Sequence, residues 1–191
     1  MKKALIAIAA ASLCAFSFSA SAMTKEEHSA AKSQIDATYK SDKAACDAMQ
    51  KNAKDICMAE AKGKDKVAKA ELEAQYKPSA SHDKKIRDAK AEAAYDVAKE
   101  KCDDQTGNAK DVCVKDAKAA RTAAKADAKV SKAASEARTG DASPAKVAEA
   151  RKDAAEDKTD ANYAAAKERC DSMSGNAKDA CQADVKAKFG K

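Results

Sequence analysis

Cys102-Asp103-Asp104-Gln105-Thr106-Gly107-Asn108-Ala109-Lys110-Asp111-Val112-Cys113 is the stretch on which the fold turns. The same pattern stands upstream as Cys46-Asp47-Ala48-Met49-Gln50-Lys51-Asn52-Ala53-Lys54-Asp55-Ile56-Cys57. Downstream it is Cys170-Asp171-Ser172-Met173-Ser174-Gly175-Asn176-Ala177-Lys178-Asp179-Ala180-Cys181. Each copy carries Asn-Ala-Lys-Asp at one offset, and Tyr39, Tyr95 and Tyr163 each stand seven positions before a first cysteine. Repetition in such register marks tandem supersecondary units.

Each unit reads as helix, tight turn, helix. Gly107 and Gly175 occupy the place where a helix stops in the left-handed conformation, which costs glycine little. The following Asn is a favoured N-cap, and Asp three positions on places a negative charge in the first turn, where the helix dipole favours it. Lys51 replaces the glycine in the first unit and makes that turn the least regular expectation. A straight helix would hold the two cysteines of a pair about 16 Å apart, whereas a disulfide needs Cα atoms roughly 4.4–6.8 Å apart. A chain reversal lets them meet, so the expected pairs are Cys46–Cys57, Cys102–Cys113 and Cys170–Cys181.

The flanks carry small residues at helical spacing. Ala117, Ala120, Ala124 and Ala128 form an expected seam after Cys113, continued before the first cysteines by Tyr95 and Ala98 and by Tyr163 and Ala166. The tyrosines are expected to cover that seam beside the clamp. Intrahelical ion pairs are expected at Asp36–Lys40, Glu60–Lys64, Asp65–Lys69, Asp83–Arg87, Asp111–Lys115 and Asp184–Lys188. Breaks fall at Lys77-Pro78-Ser79-Ala80-Ser81 and at Thr139-Gly140-Asp141-Ala142-Ser143-Pro144, with Ser143 an N-cap and Pro144 at the first helical position. The organisation expected is a signal peptide at 1–22, hairpins at 23–77, 82–138 and 144–191, and linkers at 78–81 and 139–143. The fold class is all-α: three tandem disulfide-clamped antiparallel helical hairpins in an elongated array.

Composition agrees. Beyond residue 22 there are only twelve Ile, Leu, Val and Phe, four Tyr and no Trp, against 43 Ala. That is too little to bury a conventional core, but it suits long helices stabilised by local propensity. Lys2 and Lys3, the apolar run from Ala4 to Phe18 and Ala20-Ser21-Ala22 form an export signal, with cleavage expected between Ala22 and Met23. Leu13 does not fit the small residue that a lipoprotein signal places before its cysteine, here Cys14. Losing Lys2 and Lys3 lowers the formal charge from +6 to +4, spread among interleaved acids and bases. Nucleic-acid binders gather their cations on one face or tail, and no such block is present. The apolar run is shorter than the roughly 20 residues of a bilayer span, so no stable membrane insertion is expected after cleavage.

Catalytic chemistry finds no foothold. Structural zinc cysteines usually stand roughly two to four residues apart, against ten here, and His28 and His82 lie away from every pair. Cys-x-x-Cys, a Gly-rich phosphate loop and a nucleophile with a positioned base are all missing. No cofactor or metal is expected. Lys54, Lys110 and Lys178 sit near helix starts, where the dipole disfavours a cation, and are the candidate partner contacts.

Lys118-Ala119-Ala120-Arg121-Thr122-Ala123-Ala124-Lys125-Ala126-Asp127-Ala128-Lys129 typifies the chain. In this composition it resembles the long helical middle region of TolA-type cell-envelope proteins. The likeness implies a periplasmic, helical, envelope-associated protein; the paired cysteines lie outside that pattern. The expected function is structural or interactive, without catalysis and with an envelope protein as partner. The alternatives are a hydrophilic stress protectant and a cysteine-based metal or oxidant buffer.

The clamps make helix content depend on oxidation. Full reduction should lower the circular dichroism signal at 222 nm at moderate temperature; an unchanged spectrum would deny the disulfides a structural role.

Overall fold

Thr24 starts the first helix with a reciprocal cap: its hydroxyl accepts from the Glu27 amide at 3.1 Å, while its own amide donates to the Glu27 carboxylate at 2.8 Å. From there the computed structural model, which describes residues 23–191, runs through six α-helices. They are α1 (Lys25–Asp47), α2 (Lys51–Tyr76), α3 (Ala80–Cys102), α4 (Gly107–Thr139), α5 (Pro144–Cys170) and α6 (Gly175–Phe189). Ser79 caps α3 by accepting from the His82 amide at 3.1 Å. Ala80 and Ser81 are therefore already helical, and the break is shorter than the pattern of Pro and Ser suggested. Ser143 caps α5, and Pro144 fills its first position, where no amide hydrogen is needed. Gly140 ends α4 in the left-handed conformation at φ 85°, and the amides of Asp141 and Ala142 return to the Glu136 carbonyl.

Among the described residues, every helix packs only on its neighbours in the chain: α1 on α2, α2 on α3, and so on to α5 on α6. The result is a row one helix deep. Met58 and Val67 show the consequence on α2. Nine residues apart, they lie half a turn out of phase and open onto different faces. Val67, Ala68, Val97 and Ala98 line a shallow groove on one face. Tyr39, Met58, Ala59 and Lys99 line another on the opposite face. The fully covered apolar residues are few and small: Cys46, Cys102 and Cys170, Leu72, and Ala61, Ala91, Ala119, Ala126, Ala128, Ala154 and Ala165.

The alanine seam is only partly where the spacing put it. Ala128 is buried and Ala117 half-buried, while Ala120 and Ala124 are exposed and Ala119 and Ala126 are buried instead. The reason is that α4 has a neighbour on each flank. Arg121 and Lys125 reach Glu92 of α3 at 3.2 and 2.7 Å, on the stripe of Ala117 and Ala128. Lys115 and Lys129 reach Glu168 and Asp157 of α5 at 3.5 and 3.1 Å, on the stripe of Ala119 and Ala126. One helix thus carries two narrow seams rather than one.

Charges follow the same logic. Of the six expected intrahelical pairs only Asp65–Lys69 forms, at 2.8 Å. Asp36 instead reaches across to Lys69 at 2.8 Å, Lys64 to Asp42 at 3.9 Å, and Lys115 to Glu168. The Lys125 hydrogen bond, followed by the Arg121 charge, holds the Glu92 carboxyl below its ordinary range. Two helices about 8–10 Å apart offer a long side chain partners on both, and the bridging partner also lies partly out of water. The tyrosines cover the seams as expected in the second and third hairpins. The Arg121 guanidinium lies 4.0 Å from the centre of the Tyr95 ring, and Tyr163 meets Phe189 edge-on at 6.0 Å.

Gly63, in the middle of α2, marks a close approach between hairpins. A Cβ placed there would stand 2.7 Å from the Ala93 Cβ of α3. An interior glycine costs a helix about 1 kcal/mol relative to alanine, so propensity alone favours Gly63→Ala. Overpacking costs about 1–3 kcal/mol and should win. Gly63→Ala is expected to lower urea stability by about 1 kcal/mol, and adding Ala93→Gly should recover the loss.

Candidate functional site

The repeated element is the tip of each hairpin, and its parts assemble from the turn outward. The first helix of each unit ends at or beside its first cysteine, and the carbonyl of that cysteine accepts from the amide three residues on. These bonds are Met49 to Cys46 at 2.9 Å, Gln105 to Cys102 at 3.0 Å and Met173 to Cys170 at 3.0 Å. Gly107 and Gly175 then take φ of 57° and 54°, in the left-handed region expected for them. They open the second helix rather than close the first. Lys51 adopts the same conformation at φ 53°, so the first turn matches the other two despite lacking glycine.

The reversal brings the sulfurs together. Cys46–Cys57, Cys102–Cys113 and Cys170–Cys181 are disulfides with Cα atoms 5.5, 5.6 and 5.7 Å apart, within the usual range. The first cysteine of each pair is almost wholly covered. All six cysteines of the described residues are consumed, and they fit an oxidising compartment. Ala22 lies outside the described residues, as does the rest of the expected signal, so the cleavage position is not seen; Met23 is the first residue described.

The lysines of Asn-Ala-Lys-Asp have a local partner. Lys54, Lys110 and Lys178 pair with Asp47, Asp103 and Asp171 at 2.9, 3.1 and 2.8 Å. Each aspartate follows the first cysteine and stands at the C-terminal end of a helix, where the dipole disfavours an anion. Each lysine stands in the first turn of the next helix, where the dipole disfavours a cation. Bringing the two together relieves both. At Asp171 the hydrogen bond from Lys178 leads in holding the carboxyl below its ordinary value. The lysines expected as partner contacts therefore have a role within the tip.

The asparagines differ most from expectation. Gln50, Thr106 and Ser174 hold the N-cap positions, none with a side-chain cap. The Asn52 side chain instead donates to the Glu100 carbonyl of the next hairpin at 2.8 Å, and the Asn108 side chain to the Glu168 carbonyl at 3.1 Å. Both acceptors stand two residues before a first cysteine. One residue type at one offset thus ties tip to tip along the row. A signal for this was present in the sequence: asparagine is retained in all three copies while the turn residues before it vary.

His28 and His82 do not converge. His28 contacts Glu73 at 3.0 Å and stacks on Tyr76, while the His82 ring lies 2.6 Å from the Lys77 carbonyl. No helix among the described residues is long and apolar enough to cross a membrane. Comparison with protein-family models, curated proteins and solved structures found no match.

The left-handed lysine supplies a test of the turn. A side chain in this conformation costs roughly 1–2 kcal/mol, and the Lys51 side chain makes no hydrogen bond or ion pair with the other described residues. Lys51→Gly should raise the urea midpoint by an amount equivalent to about 1 kcal/mol; an unchanged or lower midpoint would show that the turn does not strain it.

Proposed function

We propose that this chain is an exported, periplasmic helical-repeat protein with a structural or interaction role in the cell envelope and no catalysis. The observation that carries the reading is the single-layer row. A domain normally buries one layer against another; here six helices are clipped edge to edge and both broad faces stay open. With α4 at 33 residues, a helix about 50 Å long sets the height of a plate about one helix thick. Such a plate spaces or docks other molecules without needing a deep core. The clamped cysteines support an oxidising destination, and the basic start, apolar run and Ala20-Ser21-Ala22 support delivery through a cleaved signal. The TolA-type likeness in composition points to the same compartment.

In this reading the partner is an envelope protein that meets one face of the plate. The test is a photo-crosslinking residue placed in turn at Ala94, beside the first groove, and at Lys99, beside the second, in cells fractionated after irradiation. The expected result is one discrete adduct from one face, in protein released from the periplasm with Met23 at its start. Equal, diffuse labelling from both faces would overturn it. Accumulation only on desiccation or osmotic shock, without an adduct, would favour the hydrophilic protectant.

A further inference from the structure

The row repeats one joint twice and leaves each half of a third joint unused. In the first joint the Asn52 side chain donates to the Glu100 carbonyl. In the second the Asn108 side chain donates to the Glu168 carbonyl. Asn176 is the third copy of that asparagine; it is exposed and donates to no other described residue. At the other end of the row, the carbonyl two residues before the first cysteine belongs to Ala44, and no asparagine side chain of the described residues meets it.

The helix faces around these two groups are also counterparts. On α1 the residues turned toward α2 include His28, Asp36 and Asp42, through their pairs with Glu73, Lys69 and Lys64. Half a turn away stand Ala30, Ser33, Ala37, Ser41 and Ala44, all exposed. On α6 the clamped side carries Cys181 and Phe189, and the opposite side carries Asn176, Ala180, Ala183 and Ala187, again all exposed. The repeat offsets define a register between the two faces. Where Gly63 meets Ala93 in the first joint, the equivalents are Ala187 and Ala37. The Lys115–Glu168 ion pair of the second joint maps to Ala183 and Ala44. Both members of that pair are replaced by alanine together, so neither of these charges would be stranded. Asp184, the counterpart of Asp116 in the Arg169–Asp116 pair, would face Ala45 from an exposed position at the edge of the joint.

We propose that α6 of one molecule docks on α1 of a second copy, continuing the row head to tail with Asn176 bonded to the Ala44 carbonyl. The joint is heterologous, so it generates open chains or rings rather than a closed pair. It extends over the 15 residues of α6, about 22 Å of helix. That places it among small, weak interfaces, formed where local concentration is high.

The experiment uses the oxidised protein with Ala44→Cys and Ala183→Cys together, held at about 1 mM, a concentration suited to a weak interface, and treated with a short bis-maleimide. A denaturing gel should show a ladder of dimers, trimers and higher species, with little dimer from either single variant. Adding Asn176→Ala should weaken assembly about fivefold, the worth of one net hydrogen bond, without changing monomer stability, because the Asn176 side chain has no partner among the described residues. Monomer alone from the doubly substituted protein would overturn the proposal. So would dimers from Ala44→Cys alone as abundant as those from the pair, which would indicate a symmetric contact. A monomer whose α1 face crosslinks to an envelope protein in cells would assign the surface to that partner instead, leaving the scaffold reading intact while removing self-assembly.

Discussion

Everything in this fold depends on two sulfurs meeting across a left-handed residue. An eleven-residue separation is long enough to reverse a helix and short enough to leave no loop to spare. Closing such a loop removes about 3 kcal/mol of freedom from the unfolded chain. For a chain whose covered residues are mostly alanine, that contribution does not compete with a large core; it stands in for one. Each tip then sets the relative height of its two helices, and the seams beyond the tip inherit the register. The Lys–Asp pair seven residues across each turn has meaning only because the reversal has already placed two helix ends side by side.

Small residues and bridging charges divide the rest of the work. Alanine lets neighbouring axes approach closely but contributes little area, so apolar burial alone would let one helix slide along another. Exposed ion pairs add only about 0–1 kcal/mol each, yet a misregistered seam would lose several at once. Glu92, held by both Arg121 and Lys125, and Lys69, shared between Asp36 and Asp65, show how the pairs couple. The pairing is therefore better understood as selection among registers than as a sum of attractions.

How much of this was legible in the sequence follows from how local each cause is. The cysteine pairing, the left-handed glycines and the Ser143–Pro144 start depend on residues within a dozen positions of one another, and the repeat displays them three times. Gly63 and the asparagines depend on a helix belonging to another hairpin. Nothing in α2 alone says that a glycine in its middle meets Ala93, and Asn52 reads as an ordinary cap until Glu100 is beside it. The intrahelical ion pairs went astray for the same reason: spacing along one helix cannot reveal a better partner on the next. The repeat nonetheless held a clue in the lysines, since a residue opposed by the helix dipole at three equal positions needs a local compensation, and the aspartate after each first cysteine provides it.

The outermost described helices, α1 and α6, each have one face with no neighbour, and those faces show by contrast how the inner joints work. At an inner joint, Asp116, Asp127, Lys158 and Arg169 lie along the flanks, and Asn108 fixes the height. By the repeat offsets Arg169 gives way to Ala45 and Lys158 to Gln34 on the outer face of α1, while on α6 Asp116 keeps its charge as Asp184 and the asparagine remains. A terminal repeat usually exchanges its apolar seam for a charged, solvated cap. On α1 the exchange runs the other way: Ser33, Gln34, Ala44 and Ala45 stand where α5 carries Asp157, Lys158, Glu168 and Arg169. A face of that kind gains little from water and loses little on contact, so its occupancy is governed by shape and by one directional bond. The same economy that lets the row hold together without a core therefore leaves its ends open to continuation.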